Sequence, residues 1–268
     1  MRRIIKKQTT SEHRGCLRRY SGGSQPLVRL VCFPWCGAGA SVYRRLALQL
    51  PQHIELLAVQ LPGREERFGE NRLLRMEQVI AHVIDDLISV FDRPLVLFGH
   101  SLGALIAYEM ALALRAKVGR EPQGLILSGH GSPSSPEPGS QSLHIASEED
   151  LIVAIRRLGG TPPEIIENIE LMRALFPLLR ADYEVLETYT HQPQPLLSSR
   201  LIACAGEDDL EVSRESMEAW QQYTSEPAKV HWFNGGHFYL SLQPEILAKY
   251  LQEWIASFGI SGDSSSPA

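Results

Sequence analysis

The chain has 268 residues, 44% of them hydrophobic and 21% charged, with a formal net charge of −5. That size sustains one large hydrophobic core and is short for two independent domains. The mild acidity argues against a nucleic-acid or anionic-membrane partner, and no apolar run approaches the ~18 residues needed to span a bilayer.

The first 25 residues carry Arg2, Arg3, Lys6, Lys7, Arg14, Arg18 and Arg19 against one acid, Glu12, and close in Ser21-Gly22-Gly23-Ser24-Gln25. Residues 1–25 read as a disordered basic tail; an organelle transit peptide and a docking tail are the alternatives. Val28 to Phe33 is a short apolar run stopped by Pro34, hence a buried strand. A small-residue loop follows, then helical spacing over Val42 to Leu50. Ile54 to Val59 is the next strand, ended by Pro62-Gly63. From Met76 to Phe91, Met76, Val79, Ile80, Val83, Ile84, Leu87 and Ile88 mark one face of an amphipathic helix. Leu95 to Phe98 is a strand, Leu102 to Leu114 an Ala- and Leu-rich helix, and Leu125 to Ser128 a strand.

The rhythm breaks from about Leu143 to Pro195, where no buried strand is legible. Ser147-Glu148-Glu149-Asp150 reads as a helix start with acids in its first turn. The helix continues through Leu158 and ends at Gly159-Gly160. A second helical stretch opens at Pro162-Pro163 and carries Leu171, Met172, Leu175, Phe176, Leu178 and Leu179. Residues 143–195 are expected to form a helical lid inserted between two strands, because ligands of such sheets bind at the carboxyl ends of the strands. Leu175, Phe176 and Leu179 either pack on the core or line a chamber beneath. Leu201 to Ala205 resumes the strands, Trp220 sits on a helix, Val230 to Phe233 is the last strand and Ile246 to Phe258 the closing helix. Residues 261–268 read as a disordered tail. The alternation predicts an α/β fold: a mostly parallel sheet flanked by helices, built from residues 26–142 and 196–260.

Gly99-His100-Ser101-Leu102-Gly103 matches G-x-S-x-G between a strand and a helix, the setting of a nucleophile elbow. A serine hydroxyl needs an adjacent base. Of nine histidines, His237 follows the last strand in a glycine turn, Asn234-Gly235-Gly236-His237. His100 should point away from its neighbour Ser101; His130 and His144 are weaker candidates, and His53, His82, His191 and His231 read as structural or surface residues. The orienting acid belongs after the strand Leu201 to Ala205, where Glu207, Asp208 and Asp209 stand in a row. A G-x-x-D-x-x-V reading selects Asp209, with Asp208 as alternative. The oxyanion donors are expected to be the backbone N–H groups of Leu102, after the nucleophile, and of Cys36, in the loop after the first strand. The four cysteines, Cys16, Cys32, Cys36 and Cys204, are too sparse for a disulfide framework and show no paired metal spacing, so a reducing cytoplasm and no metal are expected.

The loop Cys32 to Ser41, the segment Gln60-Leu61-Pro62-Gly63-Arg64-Glu65, the elbow, and Gly235-Gly236-His237-Phe238 together resemble the type II thioesterases, stand-alone α/β-hydrolases that serve polyketide and non-ribosomal peptide synthetases. The resemblance runs from about Leu27 to Phe258. It implies hydrolysis of acyl groups held as thioesters on the phosphopantetheine arm of an acyl or peptidyl carrier protein, by a chain expected to act as a monomer without a cofactor. It also supports Ser101, Asp209 and His237 as triad, and Cys36 and Leu102 as oxyanion donors. Where the family's loop reads P-H-A-G-G, this chain has Trp35 for the His, Cys36 for the Ala and Ala38 for the second Gly; Leu210 stands where the family often has Pro. A carboxylesterase or lipase on free esters would need the same triad, and a non-catalytic hydrolase-fold binding protein should lack a triad member.

Overall fold

The structure is a computed structural model that describes residues 15–135 and 142–260. The tail residues 1–14 and 261–268 lie outside the described residues. In chain order the elements are β1 (Leu17–Arg19), β2 (Val28–Phe33), α1 (Arg44–Ala47), β3 (Ile54–Val59), α2 (Met76–Ser89), β4 (Leu95–His100), α3 (Leu102–Val118), β5 (Gly124–Ser128), α4 (Glu148–Leu158), α5 (Pro163–Ile166), α6 (Ile169–Glu187), β6 (Arg200–Gly206), α7 (Arg214–Glu218), β7 (Lys229–Phe233), α8 (Tyr239–Leu242) and α9 (Pro244–Ser257). The strands form one seven-stranded sheet in the order β1-β3-β2-β4-β5-β6-β7. All pairs are parallel except β1 with β3.

Both faces of this sheet are buried, which is why its central strands read as continuous apolar runs rather than alternating ones. Side chains still alternate between faces. Val31, Phe33, Leu57, Val59, Leu95, Leu97, Leu125, Leu127, Leu201 and Ala203 pack with α2 and α3 in one core. Val28, Leu30, Cys32, Ile54, Leu56, Ala58, Val96, Phe98, Ile126, Ile202 and Cys204 pack with α1 and α9 in the other. A smaller third core joins Leu151 and Ile155 of α4, Ile166 of α5, and Met172, Phe176 and Tyr183 of α6.

The disordered-tail reading of residues 1–25 fails for Leu17–Arg19. These three residues pair antiparallel with β3, Leu17 opposite Val59 and Arg19 opposite Leu57. Side chains compensate for the strand's shortness: Arg19 pairs with Glu55 at 2.9 Å and Arg18 with Glu66 at 2.5 Å. Trp220 lies on a 3-10 turn, Ala219–Tyr223, that follows α7.

Between β5 and β6 the chain forms α4, α5 and α6. Ser147 caps α4 by accepting a hydrogen bond from the Asp150 N–H at 3.0 Å, with Glu148, Glu149 and Asp150 in the first turn. Acids there offset the positive end of the helix dipole. Asn168 caps α6 in the same way. No helix among the described residues is long and apolar enough to cross a membrane.

Candidate active site

Ser101 occupies the sharp turn between β4 and α3 at φ 54°, ψ −124°, outside the regions an L-residue normally adopts. The turn is possible because its neighbours lack side chains. A Cβ on Gly99 would lie 1.9 Å from the Gly103 carbonyl oxygen, and one on Gly103 would lie 2.1 Å from that of Phe33. The Ser101 N–H donates to the Ser128 carbonyl at 2.7 Å, tying the elbow to the end of β5. Leu102 is the first residue of α3. N–H groups of a first helical turn have no partner within the helix and stand ready for an anion.

His237 and Asp209 come together from the ends of β7 and β6. The Nδ1 of His237 and the Oδ2 of Asp209 are 2.8 Å apart, with both side chains almost wholly buried. The other Asp209 oxygen, Oδ1, accepts the Glu211 N–H at 2.9 Å, which fixes the carboxylate plane. Asp208 is exposed. Ser101, His237 and Cys36 line one cavity of about 690 Å³. Its other walls include Trp35, Phe238 and His130 from the sheet end, and Ile155, Leu158, Leu179 and Tyr183 from α4 and α6. Of the two fates open to the apolar residues of the inserted segment, Phe176 packs in the small core and Leu179 faces the cavity.

Of the other histidines, His130 lines the cavity and the rest take other places. His144 pairs with Glu187, and His191 and His231 sit in aromatic clusters. His100 is fully buried beneath His237, ring centroids 4.8 Å apart, with Nδ1 2.8 Å from the Ser128 hydroxyl. That hydroxyl also meets the Tyr239 hydroxyl at 2.7 Å. Burial holds the His100 imidazole well below the usual histidine pKa, and the neighbouring His237 lowers it further.

Residues after β3 buttress the loop between β2 and α1. The Gln60 side-chain oxygen accepts the Ala40 N–H at 2.5 Å, and Glu65 accepts the Ser41 hydroxyl at 2.5 Å. Arg64 donates to the Ala38 carbonyl at 2.9 Å and forms a two-pronged ion pair with Asp182 of α6, at 2.9 and 2.7 Å. Asp182 in turn accepts the Gly37 N–H at 2.7 Å. Sequence pattern alone gives Gln60, Arg64, Glu65 and Asp182 no individual role. The segment from Gln60 to Glu65 stood out there, but Asp182 is an unremarkable acid on a helix whose partners lie 118 and 145 positions away.

Among the described residues no group of three or more His, Cys, Asp or Glu side chains is arranged to hold a metal ion. None of the four cysteines forms a disulfide.

A family model for the thioesterase domain matches residues 28–255. The chain is 36% identical over 229 residues to thioesterase PikA5 of Streptomyces venezuelae, covering 85% of this chain and 80% of the relative. It is 34% identical over 234 residues to linear gramicidin dehydrogenase LgrE of Brevibacillus parabrevis, a name that states a different reaction, covering 86% and 89%. Among solved structures, YbtT, a type II thioesterase from the yersiniabactin NRPS/PKS pathway, superposes with a TM-score of 0.81 at 29% identity, covering 91% of this chain and 98% of that one.

Proposed function

The chain belongs to the thioesterase family of α/β-hydrolases, and from that membership we propose that it hydrolyses acyl groups carried as thioesters on the phosphopantetheine arm of acyl or peptidyl carrier proteins, in editing or release during polyketide, non-ribosomal peptide or fatty acid synthesis. The observation that carries the reading is the shared cavity: Ser101 on its strained elbow and His237 backed by Asp209 open into one chamber, roofed by α4 and α6.

In this reading His237 takes the Ser101 proton as the hydroxyl attacks the thioester carbonyl. The N–H groups of Leu102 and Cys36 hold the oxyanion. The phosphopantetheine thiol leaves with a proton from His237, and an acyl-serine remains. His237 then deprotonates a water that attacks the ester, and Ser101 is regenerated. Asp209 keeps His237 in the tautomer with Nδ1 protonated and stabilises the imidazolium. Residues 143–195 act as the lid. The reducing cytoplasm is the proposed compartment, in keeping with four cysteines outside any disulfide.

Binding energy from a carrier protein lies remote from the carbonyl and can be used to position it. The acyl-carrier substrate is therefore expected to show a higher kcat/KM than the same acyl group on coenzyme A, with Ser101→Ala inactive on both. Equal kcat/KM for carrier-bound acyl groups, coenzyme A thioesters and simple oxygen esters would sink the carrier reading in favour of a general esterase.

A further inference from the structure

Residues Trp35 to Ala38 form a β-turn closed by a hydrogen bond from the Ala38 N–H to the Trp35 carbonyl at 3.0 Å. Gly37, the third residue, has φ +76°, while Cys36 is not among the residues of positive φ. That pattern is a type II turn, which differs from type I by a flip of the central peptide. The central peptide here joins Cys36 to Gly37. Its N–H is the one that donates to Asp182 of α6, so the carboxylate accepts only while the turn is type II. A flip would aim the Cys36 carbonyl oxygen at that carboxylate.

The remaining groups of the turn are held from the same place. Arg64, paired with Asp182, donates to the Ala38 carbonyl. One turn before Asp182 on α6, Leu179 sits so close that a Cβ on Gly37 would come within 2.6 Å of it. Leu179 and Asp182 thus dock one face of α6 onto the turn bearing the Cys36 N–H. The ion pair is shielded, with 6% of the Arg64 and 3% of the Asp182 side chain exposed.

We propose that Asp182 is a positioning residue for the oxyanion hole: by holding the Gly37 N–H it fixes the turn that presents the Cys36 N–H, so the hole is complete only while α6 is docked. This rests on the reading of Cys36 as a donor. It makes the roof over the cavity a condition for hydrolysis, because an α6 that lifts away takes the acceptor with it.

The test must separate the acceptor from the ion pair. Arg64→Met/Asp182→Leu removes both charges, leaves no buried ion unpaired and abolishes the acceptor. Arg64→Met/Asp182→Asn also removes the ion pair but retains a carbonyl oxygen for the Gly37 N–H. With an acyl thioester, the D182L double variant is expected to lose about 10- to 100-fold in kcat with KM within about threefold. Its affinity for an alkyl trifluoromethyl ketone, whose serine adduct carries an oxyanion, should fall by the same factor as kcat/KM. The D182N double variant should recover most of both losses. A folded D182L double variant within threefold of wild-type kcat, or a D182N double variant equally impaired, overturns the proposal. Should the D182L protein fail to fold by circular dichroism, the D182N protein decides: near-wild-type kcat and ketone affinity support the acceptor role, and a loss beyond tenfold refutes it. The serine mechanism on which the donor reading depends is checked separately in the wild-type background, where Ser101→Ala must abolish hydrolysis and tight ketone binding.

Discussion

At the scale of single residues, the choice between Asp208 and Asp209 shows what sequence and geometry each contribute. Chain order and spacing favoured Asp209, but both acids stand in the same turn. Geometry separates them, since Asp209 is buried with one oxygen on His237 and the other on a backbone N–H, while Asp208 is exposed. Asp209→Asn should lower kcat by about 10⁴, because an amide can hold the wrong tautomer of His237, whereas Asp208→Asn should cost less than about threefold. Steady-state kinetics on any activated ester would reveal the ranking, and the reverse order would move the orienting role to Asp208. Ser101, His237 and Asp209 can be nominated from sequence because a motif, a turn and a chain order each point to one residue type. Asp182 cannot, since its meaning lies in a contact between an inserted helix and a distant loop.

At the scale of elements, the crossing of α3 beneath β2 depends on the absent side chain of Gly103. A methyl group on Gly103 would meet the Phe33 carbonyl oxygen at 2.1 Å and its carbon at 2.7 Å, both backbone atoms that cannot rotate aside. Gly103→Ala is expected to destabilise the fold by about 3 kcal/mol or more, at or above the top of the usual range for core overpacking. Gly119 makes an internal control. It ends α3 at φ +68° with nothing within 4 Å of a would-be Cβ, so Gly119→Ala should cost only the ~1–2 kcal/mol of a left-handed L-residue. Urea unfolding of both would check the difference, and similar values would mean that backbone strain rather than contact sets the requirement. The buried strands β2 to β6, the half-buried edge strand β7 and the long helices α2, α3, α6 and α9 are readable because apolar periodicity follows burial. The strand β1 and the short helix α8 are not: a three-residue strand leaves no periodicity, and Arg18 and Arg19 within β1 read as solvated charge.

At the scale of the whole molecule, the buried histidine beneath the site ties stability to pH. His100 is depressed in the folded state, so above its ordinary pKa of 6.5 neither folded nor unfolded chain holds the proton. Below 6.5 the unfolded chain takes up a proton that the folded chain refuses. Stability therefore falls as pH falls, by about 1.4 kcal/mol per pH unit for one such group. Partial burial shifts His191 and His231 in the same direction. His100→Asn should flatten the dependence between pH 6.5 and 5 by about one proton, read from urea midpoints across that range. An unchanged slope would show that His100 protonates without cost. The border of the molecule carries a different consequence. The strand β3 is buried along its length and apolar except for Glu55, and β1 occupies its outer side. A protein trimmed to begin at Val28, where legible structure starts, would bare a row of unsatisfied N–H and C=O groups flanked by Leu57 and Val59. Such a row is a template for strand addition by a second copy. Leu17–Arg19 covers that row, so a chain lacking it is expected to associate edge to edge where the full chain does not.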